Sequence, residues 1–191
     1  AGHWGIEKES LYFLVRDTVA TFAERPCYWV KPDGHNFSAI SYINWRADMK
    51  RFSAFLIHKL KLAHGEPVGL LCDNRYEWNL VSLGITTVGG VDVPRGCDAT
   101  HQDIKYILNH TECTKLVIEH EKMLKAIVEN IGELPHLRDI ISIESPERYK
   151  SLEALKGKLG KTKIHFLVDA LAEGEDALQE QGEVFLKKRG E

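Results

Sequence analysis

Between residues 67 and 143 short apolar runs alternate with helical periodicities, and this alternation limits the possible folds more than any other feature of the chain. Residues 68–72 form a continuous apolar run, as a strand covered on both faces requires. Asn74 follows, with Glu77 three residues on, the spacing of a capping box, so a helix is expected to start at Arg75. That helix is apolar on most sides (Trp78, Leu80, Val81, Leu83, Ile85, Val88), which implies deep burial. Gly89 and Gly90 end it, and 91–93 form a second strand that Pro94 should stop. Thr100, with Asp103 three residues on, opens a helix carrying Ile104, Ile107 and Leu108. A strand at 116–118, a helix marked by Met123, Leu124, Ile127, Val128 and Ile131, and a strand at 140–143 complete the series. Repeated strand–helix–strand units with buried strands predict an α/β fold: a doubly wound, largely parallel sheet with helices on both faces and right-handed crossovers.

Upstream, Ser10 caps a predicted helix whose apolar residues are Leu11, Leu14, Val15, Val19 and Phe22, and Pro26 ends it. Strand-like runs at 27–31 and 36–40 flank Pro32-Asp33-Gly34, which reads as an N-terminal β-hairpin. Ser41 caps the next helix. Its buried stripe is Trp45, Met49, Phe52, Leu56 and Leu60, its solvated face carries Arg46, Asp48, Lys50, Lys59 and Lys61, and Gly65 closes it. After Ser145 the pattern weakens. Residues 164–168 read as a further strand, and the charged, glycine-punctuated remainder reads as surface helices or a connecting segment. The expected organisation is a flexible N-terminus at 1–9, an α/β subdomain at 10–168, and a charged connection at 169–191 leading to a catalytic region outside this sequence.

A net charge of −3 and a pI near 6.3 give no electrostatic reason to expect nucleic acid as a partner. No apolar run is long enough to span a membrane. Cys27, Cys72, Cys97 and Cys113 form no CxxC pair, and no apolar leader is visible, so a reducing, cytoplasmic location is expected. The glycosylation-type triplets at Asn36 and Asn109 then carry no weight.

Motifs of known chemistry fail on spacing. Only two residues separate Gly157 from Gly160-Lys161-Thr162, where a phosphate loop needs four. His120-Glu121 begins like a zinc-protease helix, but Leu124 occupies the position of the second histidine; no metal held by protein side chains is expected. No serine sits in a glycine-flanked elbow, and Gly84, Gly89 and Gly90 do not form the dinucleotide fingerprint. What remains is position. In an open parallel sheet, ligands gather at the carboxyl ends of the strands. There lie Asp73, Asn74 and Arg75 after the first strand, Arg95 after the second, and Glu119 and His120 after the third. Asn74, Arg75 and Arg95 are the candidate cofactor-binding residues. Helix capping by Asn74 and an ion pair by Arg75 are the structural alternatives.

The segment 67–118 resembles the adenylate-forming (AMP-dependent synthetase/ligase) enzymes, and most closely long-chain acyl-CoA synthetases. The similarity rests on Asp73-Asn74-Arg75-Tyr76-Glu77-Trp78, on Gly89-Gly90-Val91-Asp92-Val93-Pro94, on the stretch from Asp103 through Ile104-Lys105-Tyr106-Ile107-Leu108 to Asn109, and on the strand around Val117. Upstream, Ile40-Ser41-Tyr42 and the Trp45 helix match as well. The resemblance implies the N-terminal portion of a ligase that activates a long-chain fatty acid with ATP and Mg²⁺ to an acyl adenylate and then transfers the acyl group to coenzyme A. Homo-oligomerisation and peripheral membrane contact are compatible with it. The family's lysine-containing phosphate loop and mobile C-terminal domain are absent from these 191 residues, so no catalytic residue is assigned and the chain alone is expected to be inactive. A stand-alone nucleotide- or acyl-binding module and a non-catalytic interaction subunit remain the alternatives.

Overall fold

A computed structural model describes residues 10–32 and 34–190. The expected 1–9 segment and Asp33 of the hairpin turn lie outside the described residues. Helix α1 (Leu11–Phe22) buries Val15 and Val19. It is followed by an antiparallel hairpin of β1 (Pro26–Val30) and β2 (Ser38–Ser41). Pro26 does not end the helix but opens the strand, a place where its missing N–H is tolerated. Helix α2 (Tyr42–His58) buries Trp45, Met49, Phe52 and Leu56 as its periodicity requires. The Ser41 hydroxyl accepts a hydrogen bond from the Asn44 N–H at 3.4 Å, which caps it. Ser41→Ala is expected to cost about 0.5–1 kcal/mol in urea denaturation; an unchanged midpoint would show that the cap contributes nothing.

The main sheet contains β3 (Pro67–Leu71), β4 (Val91–Arg95), β5 (Lys115–Ile118), β6 (Asp139–Ser142) and β7 (Lys163–Phe166). Their order is β4-β3-β5-β6-β7, and every pairing is parallel. The doubly wound sheet expected from sequence is therefore present. Pro94 does not stop β4 but lies within it, which an edge strand permits. On one face, α2, α3 (Tyr76–Thr86) and α7 (Leu167–Gln181) enclose a core with Phe52, Phe55, Leu80, Val81, Ile85 and Leu167, against Val68 and Leu70 of β3. On the other, α4 (His101–His110), α5 (Glu121–Glu129) and α6 (Leu152–Lys156) pack Ile104, Leu108, Leu124, Ile127 and Leu155 against Leu71, Leu116 and Ile118. Gly69 belongs in β3 for a steric reason. A Cβ there would stand 2.7 Å from Leu116 Cδ1 and 2.8 Å from Leu108 Cδ2.

Residues beyond β7 take the surface-helix form of the two expected. The run 164–168 splits, with β7 ending at Phe166 and α7 starting at Leu167. Helix α7 packs chiefly on α2, and α8 (Val184–Gly190) touches α1 and α2 and buries Leu186. Rim ion pairs run from Arg51 to Glu175 (2.6 Å), from Lys59 to Glu173 (2.8 Å) and from Lys50 to Glu183. Such exposed pairs add little energy; the apolar contact of Leu167 and Ala170 dominates the docking.

Candidate functional site at the switch point of the sheet

From β3 the chain crosses outward to β4, then returns past β3 to β5 and continues in the other direction. The strand order reverses between β3 and β5, and a crevice opens beyond their carboxyl ends. The loops there carry Asp73 and Arg75 after β3, Cys97 after β4, and Glu119 and His120 after β5.

Glu119 is the hub. Its Oε2 accepts the Asp73 N–H at 2.9 Å and the Cys97 thiol at 3.3 Å. Its Oε1 takes Arg75 Nη1 at 3.3 Å. Arg75 also forms two hydrogen bonds to Glu77, at 2.6 and 3.0 Å. Asp73 Oδ1 accepts the Cys97 N–H at 2.8 Å, so three strand ends are tied together. Burial alone would raise the Glu119 carboxyl, but the Asp73 N–H, the two neighbouring thiols and Arg75 outweigh it and hold it below the ordinary range. The same carboxylate acts in reverse on the thiols. Burial, then the hydrogen bond to Glu119, pushes Cys97 up to about 12, and burial with the charge of Glu119 raises Cys72 as well. Neither thiol is a ready nucleophile in this state.

The three candidate residues are not brought to one point. Arg75 lies in the crevice, engaged as described. Asn74 and Arg95 line a separate hollow of about 390 Å³ on the β4 side, and Arg95 is directed to Asp98 (3.3 Å) and Asp103 (3.8 Å). The capping box expected of Asn74 and Glu77 does not form. Helix α3 starts at Tyr76, its cap position is Arg75, and the Glu77 carboxylate turns to the Arg75 guanidinium instead. A bidentate charged partner is stronger than a single backbone N–H, which accounts for the difference. The Thr100–Asp103 box forms in full at the start of α4.

A larger cleft of about 800 Å³ adjoins Arg75, bounded by the hairpin on one side and the ends of β5 and β6 on the other. Its apolar wall includes Trp29, Ile40, Tyr76 and Ile143, and its polar wall includes Lys31, His120, Glu144 and Arg148. Trp29 is 62% exposed over this cleft. Sequence reasoning missed the hairpin's part in it. Tyr28 faces inward on Trp45, so its neighbour Trp29 must face out, and that alternation was the available signal.

The crevice does not suit an ATP phosphate chain with its Mg²⁺. Such a site needs free N–H groups at glycine-rich turns or helix starts. The turn after β3 has no glycine, the Asp73 and Cys97 N–H groups are taken by carboxylates, and the Glu121 N–H at the start of α5 is taken by Glu144 at 3.2 Å. Glu119 and Glu144 stand where an incoming anion would have to bind.

The model of the AMP-binding enzyme family matches residues 15–181, nearly the whole chain. The chain belongs to that family. Among curated relatives, the long-chain-fatty-acid–CoA ligase FadD15 of Mycobacterium tuberculosis is 27% identical over 97 residues, covering 51% of this chain and 16% of that protein. Human long-chain-fatty-acid–CoA ligase 6 is 25% identical over 182 residues, covering 93% of the chain and 25% of that protein. The chain thus spans a quarter or less of the length of these relatives. Among solved structures, the adenylation domain of a carboxylate reductase from Mycobacterium chelonae superposes with a TM-score of 0.76 at 20% identity, over 89% of this chain and 30% of that one. This likeness shows the fold: the parallel sheet and its helices are those of an adenylation domain. Among the described residues no helix is long and apolar enough to cross a membrane.

Proposed function

We propose that this AMP-binding-family chain is the N-terminal scaffold of a cytoplasmic long-chain-fatty-acid–CoA ligase. The observation that carries the reading is the match of residues 15–181 to the family together with similarity to long-chain ligases over up to 93% of the chain. The whole enzyme would condense a fatty carboxylate with the α-phosphate of ATP, release pyrophosphate, and pass the acyl group from AMP to the thiol of coenzyme A. In this division of labour the chain supplies a rigid sheet and one wall of a cleft. The phosphate-binding loop, the magnesium site and the catalytic lysine belong to sequence outside these 191 residues. The self-satisfied crevice supports that division, since Arg75 and Glu119 already neutralise one another where a ligand would be held in many open sheets.

Trapping acyl adenylate with hydroxylamine tests this. The 191-residue chain with ATP, Mg²⁺ and a long-chain fatty acid is expected to give no hydroxamate, whereas a longer product of the same gene that includes this region is expected to give it. Hydroxamate from the chain alone would overturn the division of labour. No activity from the longer product on any long-chain acid would overturn the ligase reading. Saturable binding of ATP or fatty acid to the chain alone would favour a stand-alone binding module instead.

A further inference from the structure

The ends of β3, β4 and β5 bring together an unusual set of donors. Asp73, Cys97 and Glu119 each offer one ligand atom, and these atoms all lie within 4.8 Å of one another. Two more sulfurs adjoin them. Met123 Sδ is 3.4 Å from Cys97 Sγ, and the Cys72 thiol donates to the Asp73 carbonyl at 3.2 Å. This is more than an acidic patch, because carboxylates at a surface gather water or Mg²⁺ without sulfur. Thiolate and thioether donors select soft or borderline cations.

We propose that Asp73, Cys97 and Glu119 form a site for a thiophilic divalent cation of the Zn²⁺ class, with solvent as the fourth donor.

A tetrahedral ion at about 2.0–2.3 Å from its ligands holds them roughly 3.3–3.8 Å apart, so the donors need to close by only about an ångström. The supporting shell already exists. The Cys97 N–H holds Asp73 Oδ1, while the Asp73 N–H and Arg75 hold the two oxygens of Glu119, the kind of outer contacts that orient metal ligands. The open hollow lined by Cys72 and Asp73 gives an ion access. Binding would release the Cys97 proton to solvent as the cation replaces it beside Glu119. The proposal reverses the expectation of no protein-held metal. That expectation rested on local spacing, whereas residues 73, 97 and 119 come from three strands and share no motif.

The test is titration of the fully reduced 191-residue chain with Cd²⁺, whose thiolate charge-transfer absorption reports a sulfur ligand directly. One saturating equivalent is expected, displaced by Zn²⁺ and not by excess Mg²⁺. Cys97→Ser should abolish the band while leaving the circular dichroism unchanged. Glu119→Gln should weaken binding about tenfold or more. Cys113→Ser, altering a core thiol beside Thr111 at the opposite end of the sheet, should bind as the parent does. A band that persists in Cys97→Ser, that needs several equivalents to appear, or that fails to form at all overturns the site.

Discussion

Gly174→Ala is expected to destabilise the chain by about 2 kcal/mol or more, although alanine is the better helix former. In an exposed helix the exchange would gain about 1 kcal/mol. At this position a Cβ would stand 1.8 Å from the carbonyl oxygen of Arg51 and 2.6 Å from its carbon, both backbone atoms that no rotamer change can move. The α2 and α7 backbones touch there, so α7 must shift away. A shift withdraws Leu167 and Ala170 from the core and pulls Glu175 and Glu173 off Arg51 and Lys59. Overpacking of this kind costs about 1–3 kcal/mol and more where backbone is involved. Gly132→Ala is the control, since its Cβ would meet nothing within 4 Å and no positive φ is required there. Urea denaturation of the two variants decides the matter. A Gly174→Ala protein as stable as the parent would mean that α7 does not pack on α2 at this distance.

The same contact explains why the last quarter of the sequence was hard to read while the middle was plain. Helix–strand alternation between Val68 and Ile143 stands out because both faces of the sheet are covered, so the middles of β3, β5 and β6 are apolar and the helices between them show large periodic residues. Helix α7 instead buries Ala170 and Gly174, and small residues at a close helix crossing leave no hydrophobic stripe to recognise. Its charges looked like those of a linker because they serve the rim of the contact with α2. Pro94 misled for a related reason. It breaks central strands, and only the topology shows that β4 is an edge. The candidate site was legible as a location and not as a constellation. The strand-end rule found Arg75 and Glu119, but Arg95 sits over a different hollow. Local capping logic gave Asn74–Glu77, where the fold prefers Arg75–Glu77, because the charged partner is the stronger one. Cys97 and Trp29 enter only once β4 and the hairpin have been placed in space.

Lys115→Met should cost about 3–5 kcal/mol at neutral pH, because it leaves a largely buried carboxylate without its countercharge. Lys115 is only 5% exposed, and its ammonium is paired with Glu66 at the end of the sheet opposite the crevice. Glu66 also accepts the Thr114 hydroxyl at 2.6 Å and the Ala63 N–H at 2.7 Å. Burial alone would raise this carboxyl, yet those three donors together hold it below its ordinary 4.5. Because the folded value is the lower one, the network stabilises fully above the ordinary glutamate range and is lost as pH falls through the folded value. Methionine fills the lysine's volume but leaves Glu66 with burial and without its countercharge, so in the variant the carboxyl should rise. The stability gap between parent and variant should then narrow as urea unfolding is repeated at progressively lower pH. Lys115→Met/Glu66→Met should lose less than the sum of the single changes, since it leaves no unpaired buried charge. A gap that stays constant with pH, or singles that add, would show that the two groups do not interact. The pair would then be an ordinary surface contact.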